Sequence, residues 1–223
     1  MNVTEAVHSR RSIRQFIDKP VDLSQLQEIL GKAQRSPSGG NTQPWSAIVV
    51  TGSELTRITG AIKEKAASVP MGEGHEYDIY PKGLEGRHET QRRAVGKAMF
   101  DAVGLARDDA AGRIAQMQQN WDSFGAPVQL FTYTRKYMGP PQWSDMGMWL
   151  QTVMLLLREA GLDSCPQEIW AMYGVKMREL LGIDDEHIFF CGMAIGYRDP
   201  DAAINNFEVP RTPLNEAVEF RGF

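Results

Sequence analysis

The stretch that decides the fold runs from Ser36 to Thr51 and reads Ser-Pro-Ser-Gly-Gly-Asn-Thr-Gln-Pro-Trp-Ser-Ala-Ile-Val-Val-Thr. Its first half is rich in Pro, Gly, Ser and Asn, which is the composition of a loop. Its second half, Trp45 to Thr51, is rich in β-branched residues and predicts a strand. The glycines allow a flat ligand to approach the backbone, and the polar side chains offer hydrogen bonds to a heteroaromatic edge. A plain turn before a strand is the alternative interpretation.

Helical and strand patterns extend on both sides of this stretch. Apolar spacing and capping residues predict six helical regions, at 2–9, 22–35, 53–67, 91–121, 144–161 and 172–181. Alternating or β-branched runs predict strands at 45–51, 128–134 and 188–197, and residues 163–168 are predicted to be a short connector. Few strands among several helices indicate an α+β fold, with a small sheet flanked by helices.

The composition narrows the class of protein. The chain has 223 residues, with 24 Lys and Arg against 28 Asp and Glu, so its net charge of -4 does not favour nucleic acid as a partner. Two cysteines cannot form a disulfide framework and are predicted to be reduced thiols. The N-terminus shows no signal-peptide pattern, and no apolar run reaches the roughly 20 residues of a membrane span. These features predict a cytoplasmic protein without a membrane segment.

The densest basic cluster is Ser9-Arg10-Arg11-Ser12-Ile13-Arg14, directly after the first predicted helix. Guanidinium and hydroxyl groups at this density can bind a phosphate group, and an arginine can do so through two parallel hydrogen bonds. A solvated run of charges is the alternative interpretation of the cluster.

Several catalytic patterns are absent from the sequence. There is no Gly-x-Gly-x-x-Gly after a strand, no P-loop and no Gly-x-Ser-x-Gly nucleophile elbow. The four histidines lack zinc-like spacing, and neither cysteine suggests a Cys-His nucleophilic pair. The sequence therefore predicts no metal site and no catalytic nucleophile.

Several distinctive segments follow one another along the chain. Arg10-Arg11-Ser12-x-Arg14 is followed by Pro37-Ser-Gly-Gly-Asn-x-Gln-Pro-Trp45, and Gly161-Leu-Asp-Ser-Cys-Pro-Gln-Glu168 comes later. Gly192-Met-Ala-Ile-Gly-Tyr197 and a Pro-rich tail with Arg211 complete the set. This ordered set resembles the FMN-dependent nitroreductase family, and the resemblance covers essentially the whole chain.

The resemblance implies an architecture. It predicts a nitroreductase-like α+β fold whose small, mainly antiparallel sheet is flanked by helices. It also predicts an intertwined homodimer with an extended C-terminal arm. Residues 1–223 are expected to form a single domain, with a candidate lid at about residues 68–90.

The resemblance also implies a non-covalent FMN site at the dimer interface. The residues expected to hold the phosphate, the ribityl chain and the N1–O2 side of the ring are Arg10, Arg11, Ser12, Arg14 and Arg211. Those expected to contact the ring from the partner subunit are Pro37, Ser38, Gly39 and Asn41. The segment expected to face N5 is Pro166, Gln167 and Glu168. Two positions depart from the family pattern, because Val209 replaces a frequent basic residue and Ile169 replaces a glycine.

The implied reaction is a ping-pong hydride transfer. NADH or NADPH reduces FMN, and a flat nitroaromatic or quinone-like acceptor then takes the electrons. Because the flavin carries the chemistry, no catalytic side chain is predicted. The aromatic residues predicted either to line the acceptor cleft or to pack in the core are Trp121, Phe124, Trp143, Trp170 and Tyr173.

Two further functions are compatible with the same residues. The fold could serve another flavin reaction, such as reductive dehalogenation or enone reduction, because a fold fixes the cofactor better than the substrate. Alternatively, Arg10, Arg11 and Arg14 could hold a nucleotide in a protein that is not an enzyme. A yellow colour of the purified protein separates the flavoenzyme from the second alternative.

Overall fold

The computed structural model describes residues 1–74 and 76–223. The helices of the described residues, in chain order, are α1 (Val3–Ser9), α2 (Leu23–Ala33), α3 (Gly52–Ser68), α4 (Gly86–Ala102), α5 (Ala110–Gln118), α6 (Pro140–Glu159), α7 (Gly174–Leu181) and α8 (Leu214–Ala217). The strands are β1 (Phe16–Ile17), β2 (Ser46–Thr51), β3 (Val128–Arg135), β4 (Asp163–Gln167) and β5 (His187–Arg198). Short 3-10 helices lie at Gly39–Asn41, Gln119–Gly125, Glu168–Tyr173 and Ala203–Asn205.

The five strands form one sheet in which every pair of neighbouring strands is antiparallel. The central strand is β5, which pairs with β3 on one side and with both β4 and β1 on the other. The strand β2 pairs with β3 at the far edge. The predicted α+β class with a small, mainly antiparallel sheet is confirmed.

Helices cover both faces of this sheet. Neighbouring residues of a strand point to opposite faces, and Leu130 and Phe131 of β3 accordingly belong to two different core clusters. Leu130 packs with residues of α2 and α6, whereas Phe131 packs with residues of α3, α7 and the 3-10 helix Glu168–Tyr173. Glycine is required at position 192, because a Cβ atom there would lie 2.5 Å from Gln129 Nε2 and 2.7 Å from the Trp170 ring.

Local sequence explains where the main helices begin. The side chain of Asp22 accepts a hydrogen bond from the Gln25 amide at 2.9 Å and caps α2. Pro140 and Pro141 occupy the first turn of α6. Backbone N–H groups in a first turn have no acceptor within the helix, so the N–H that proline lacks costs no hydrogen bond there. The helix therefore starts four residues before the predicted position 144.

The prediction was wrong for residues 163–168, because 163–167 form the strand β4 and not a connector. Pro166 is tolerated there because β4 pairs along its length with β5 alone, which leaves its other edge free of a continuous ladder. The short strand β1 was not predicted. The helical region predicted at 91–121 is divided into α4 and α5, and residues 119–125 form a 3-10 helix.

Hydrogen bonds attach part of the candidate lid, residues 68–90, to the body of the protein. The Tyr77 hydroxyl donates to the Phe190 carbonyl at 2.5 Å, and Glu76 forms an ion pair with the buried Arg178 at 3.0 Å. Burial raises the pKa of Tyr77, so its hydroxyl stays protonated as a donor. His75 lies outside the described residues. The lid function of this segment stays a prediction.

Candidate functional site

The basic segment Arg10–Arg14 runs alongside strand β4. Ser12 and Ser164 form a parallel bridge, and the Ile13 amide donates to the Ser164 carbonyl at 3.0 Å. The side chain of Ile13 is fully buried, so the neighbouring side chains of Ser12 and Arg14 point away from that part of the core. Because the bridge is parallel, Arg14 stands level with Pro166 two residues further along.

Positive charges concentrate at this place. Arg10 is partly buried, and burial together with the nearby positive charge of Arg211 lowers the pKa of its guanidinium. Among the described residues, no carboxylate lies within ion-pair distance of Arg10, Arg11, Arg14 or Arg211. Guanidinium groups held together without a protein counter-ion are suited to bind an anion.

The C-terminal tail is fixed to the basic segment by Asn205, a residue that the sequence analysis did not identify. Its Oδ1 accepts from the Arg14 amide at 2.8 Å, and its Nδ2 donates to the carbonyls of Gln15 at 2.8 Å and Asp199 at 2.9 Å. The side chain is only 3% exposed. The guanidinium of Arg11 donates to the Phe207 carbonyl at 3.3 Å. These bonds bring the tail, and Arg211 with it, to the basic segment.

The segment Pro166–Glu168 continues from the part of β4 that borders the basic segment. The Gln167 side chain is buried, donates to the Asn120 carbonyl at 3.1 Å and accepts from Gln129 Nε2 at 3.0 Å. Because that side chain is used internally, only the backbone of Gln167 can serve a ligand. Glu168 begins the next 3-10 helix, and the protein atoms around its carboxylate raise its pKa.

The segment Pro37–Asn41 lies in the connection between α2 and β2. The Gly39 amide donates to the buried Asp145 carboxylate of α6 at 3.2 Å, and the Asn41 amide donates to the Ser38 carbonyl at 3.0 Å. Gly40 and Asn41 both adopt left-handed backbone angles, with φ values of 59° and 56°. Among the described residues, no hydrogen bond joins this segment to the basic segment or to Pro166–Glu168.

The structure therefore divides the predicted site residues into two groups. The group brought together within one chain consists of Arg10, Arg11, Ser12, Arg14, Pro166, Gln167, Glu168 and Arg211. The group that shares no hydrogen bond with these residues consists of Pro37, Ser38, Gly39 and Asn41. Three of the second group, all except Ser38, are exposed in the single chain, so they are available to a ligand or a partner.

A large cleft adjoins the basic segment. Its volume is about 1090 Å³, and its lining includes Arg14 and Phe124 together with residues of α4 and α5. Ser123 and Phe124 adopt left-handed backbone angles, with φ values of 51° and 56°. Such angles are strained for residues other than glycine. Phe124 borders the cleft, but it is only 5% exposed and packs in a core cluster with Ile13 and Phe16.

The other predicted cleft aromatics pack in the interior. Trp121, Trp170 and Tyr173 are buried, and the Trp121 ring meets the other two edge to face, at centroid distances of 5.3 Å and 5.4 Å. Trp143 packs edge to face against Tyr77 at 5.0 Å. Core packing, the alternative for these residues, is what the structure shows for Trp121, Trp170 and Tyr173.

Neither cysteine has the properties of a catalytic nucleophile. Both are buried, and burial raises the pKa of Cys191 to about 12. Burial also raises the pKa of Cys165, although the charges of Arg14 and Arg10 oppose the shift. Thiols with raised pKa values stay protonated and unreactive at neutral pH. In the part of the chain that the structure describes, no cluster of His, Cys, Asp and Glu could hold a metal ion.

None of the helices in the described part of the chain has the length and apolar character that a bilayer-spanning segment requires.

Known proteins match this chain over nearly its whole length. It is 32% identical over 222 residues to the chloronitrobenzene nitroreductase of Comamonas testosteroni, covering 98% of this chain and 96% of that protein. It is 32% identical over 220 residues to a 4-nitrobenzoate reductase of Pseudomonas putida, covering 97% of this chain and 94% of that protein.

Solved structures match the fold as closely. The FMN- and NADPH-dependent nitroreductase NfnB of Sphigopyxis sp. strain HMH is 52% identical, with a TM-score of 0.96 and 100% of each chain covered. The FMN-dependent nitroreductase NfnB of Mycobacterium smegmatis, solved in complex with NADPH, is 26% identical with a TM-score of 0.93. That match covers 98% of this chain and 97% of the other. The family model described as Nitroreductase family matches residues 7–197, and the chain belongs to the nitroreductase family.

Proposed function

We propose that this protein is an FMN-dependent oxidoreductase that takes electrons from NADH or NADPH and reduces nitroaromatic or quinone-like acceptors. The observation that carries the proposal is the group of guanidiniums of Arg10, Arg14 and Arg211, which has no carboxylate partner among the described residues. Family membership supports the proposal, because the relatives named above are nitroreductases and two of them are FMN-dependent.

The residues present fit a flavin nucleotide with a terminal phosphate. Arg10 and Arg211 would hold the phosphate. Burial and then the nearby like charge of Arg211 lower the pKa of Arg10, and a bound anion would relieve the repulsion between the two guanidiniums. Ser12 supplies a hydroxyl, and Arg11 and Arg14 add further positive charge. The backbone of Pro166–Glu168 lies next along β4 and would meet the ring.

When bound, FMN supplies the hydride and electron chemistry of the reaction. The chain's own residues bind and orient it. Asn205 holds the backbone of Arg14, and the Arg14 guanidinium donates to the Ser12 carbonyl at 3.2 Å. No described residue near the basic segment is a reactive nucleophile, since the buried thiol of Cys165 stays protonated. We propose no catalytic side chain.

We also propose that the enzyme is a homodimer of the cytoplasm, in which Pro37, Ser38, Gly39 and Asn41 of each subunit reach the flavin of the other. The exposure of Pro37, Gly39 and Asn41 in the single chain, and the absence of hydrogen bonds from this segment to the basic segment among the described residues, support this arrangement. The two free cysteines are consistent with a reducing compartment.

An absorbance spectrum tests the cofactor and the reaction together. The purified protein should show flavin bands that bleach on anaerobic addition of NADH or NADPH and return when nitrobenzene is added. Arg10→Ala and Arg211→Ala should each raise the dissociation constant for FMN about tenfold or more, because each removes a charge-assisted hydrogen bond.

Arg57→Ala is the matched control, because Arg57 lies on α3, pairs with Glu54 and does not belong to the basic segment. It should leave the affinity for FMN unchanged. A colourless protein that takes up no added FMN would refute the proposal. Unchanged affinity in both Arg10→Ala and Arg211→Ala would refute the phosphate assignment alone.

A further inference from the structure

A buried hydrogen bond crosses the central strand of the sheet. Gln129 of β3 and Gln167 of β4 lie on strands that do not pair with each other, since β5 runs between them. Gln129 Nε2 nevertheless donates to Gln167 Oε1 at 3.0 Å, and the two residues are 0% and 3% exposed. Gln167 pairs with Gly192 of β5, where a Cβ atom would lie 2.5 Å from Gln129 Nε2. Glycine at position 192 therefore makes room for this bond.

The Gln167 side chain is held at its other end as well. Its Nε2 donates to the Asn120 carbonyl at 3.1 Å and to Asn120 Oδ1 at 3.2 Å. Asn120 belongs to the 3-10 helix Gln119–Gly125 and also lines the large cleft. Because both ends of its amide are bonded, the Gln167 side chain is fixed in one orientation and connects β4 with β3 and with that 3-10 helix.

Gln167 is the residue at which the chain leaves the sheet. It ends β4 and directly precedes the 3-10 helix Glu168–Tyr173, with φ and ψ angles of -136° and 90°. This ψ value lies between those of a strand and those of a helix, so the course of the following backbone depends on how Gln167 is held. The segment Pro166–Glu168 is the one proposed above to meet the flavin ring. The hydrogen bonds of the Gln167 side chain therefore fix the backbone that would face the ring.

Packing alone does not account for Gln129. Strand alternation places it on the same face of the sheet as Phe131, which packs edge to face against Trp170 in an apolar cluster. Gln129 Oε1 has no hydrogen-bond partner among the described residues. A buried polar atom without a partner costs free energy, whereas an apolar side chain of the same size has no such cost. The bond to Gln167 is therefore the distinctive contribution of Gln129 at this position.

We propose that Gln129 is a positioning residue of the flavin site, which acts through the Gln167 side chain on the backbone of Gln167 and Glu168. This inference rests on the proposed function. A fixed backbone presents its polar groups to the ring in one arrangement, and polar groups beside a flavin tune its electronic properties and orient it for hydride transfer. Because Gln129 is fully buried, it reaches the site only through Gln167.

The first test uses Gln129→Met, which keeps the length of the side chain but cannot donate to Gln167. In the FMN-loaded protein, the rate constant of flavin reduction at saturating NADPH should fall about tenfold to a hundredfold, since a displacement of about 1 Å near the reacting atoms has an effect of that order. The midpoint potential of the bound flavin should shift as well. The dissociation constant for FMN should change less than about threefold, because Arg10 and Arg211 still hold the phosphate.

The second test uses Gln129→Glu, whose hydrogen-bonding role changes with pH. A protonated glutamate can donate to Gln167 Oε1, whereas an ionised one can only accept. The rate of flavin reduction should therefore stay near the unmodified rate at low pH. It should fall to the rate of Gln129→Met as the pH rises through the pKa of the introduced carboxyl group, which burial raises. The unmodified protein and Gln129→Met, measured over the same pH range, correct for every other titrating group.

Thr132→Val is the matched control. Thr132 is a buried residue of the same strand whose hydroxyl donates to the Cys191 carbonyl at 3.1 Å, and strand alternation places it on the opposite face from Gln129. Its loss should lower the thermal stability without changing the reduction rate or the midpoint potential.

The comparison is made at a temperature where all the variants are folded. A reduction rate and a midpoint potential in Gln129→Met that equal those of Thr132→Val would overturn the inference, as would one pH profile shared by all the proteins. The absence of flavin bands from the unmodified protein after addition of FMN would instead refute the proposed function.

Discussion

At the scale of single residues, the site depends on Asn205 as much as on the arginines. Its side chain accepts from the Arg14 amide of the basic segment and donates to the carbonyl of Gln15, the residue that follows. We expect Asn205→Ala to leave these groups unpaired, to cost about 1–3 kcal/mol of stability and to weaken FMN binding about tenfold. Urea unfolding and fluorescence titration with FMN measure the two effects.

The neighbouring residue provides the control for this positioning role. The Asn206 side chain donates to the carbonyls of Pro200 at 2.9 Å and Ala202 at 3.2 Å, and it has no hydrogen bond to the basic segment. Asn206→Ala should therefore lower stability without the loss of FMN affinity. If the two variants bind FMN equally well at a temperature where both are folded, Asn205 is structural and does not position Arg14.

At the scale of elements, strand β4 is held in place by a buried charge. Asp163 is 2% exposed and accepts hydrogen bonds from Arg158 at 2.8 Å and from Arg198 at 2.7 Å. Asp163→Asn removes the negative charge between two guanidiniums, so we expect a loss of about 3–5 kcal/mol in the free energy of unfolding. Denaturant unfolding followed by circular dichroism measures this loss.

An exposed ion pair gives the reference for that measurement. Glu28 and Lys32 of α2 lie 2.7 Å apart with more than half of each side chain exposed. Solvent screens exposed pairs of this kind, so Glu28→Gln should have little effect on the free energy of unfolding. A loss for Asp163→Asn that is no larger than that for Glu28→Gln would show that the buried pairs do not hold β4.

The same strand shows how far sequence patterns reach. The strands β3 and β5 were predicted within one or two residues because their own apolar residues define them. The strand β4 was missed because what makes it a strand is remote: Arg198 compensates the buried Asp163, and β5 supplies the pairing. Asn205 was missed for the same reason, since its role arises only when the tail meets the basic segment. The basic segment itself was identified because its residues are contiguous.

At the scale of the whole molecule, the two groups of site residues predict how subunits must combine. If Arg10 and Arg211 of one chain and Pro37–Asn41 of another hold the same flavin, each dimer has two such composite sites. A heterodimer of two differently defective chains would then have one site with both defects and one site with none. If all these residues served a flavin within one chain, both sites would keep one defect each.

The test uses two variants that we expect not to retain FMN as homodimers. One is the double variant Arg10→Ala, Arg211→Ala; the other is Gly39→Phe, whose Cβ has room beside Asp145 but whose ring would block the exposed face. Coexpression with different affinity tags yields the heterodimer, which should bind one FMN per dimer and regain NADPH-dependent reduction of nitrobenzene at about half the unmodified rate. Homodimers of each variant are the controls. Recovery in the heterodimer can come only from the composite site that carries neither defect. A heterodimer as colourless as its parents, or variants that purify as monomers, would show that each chain holds its flavin alone or not at all.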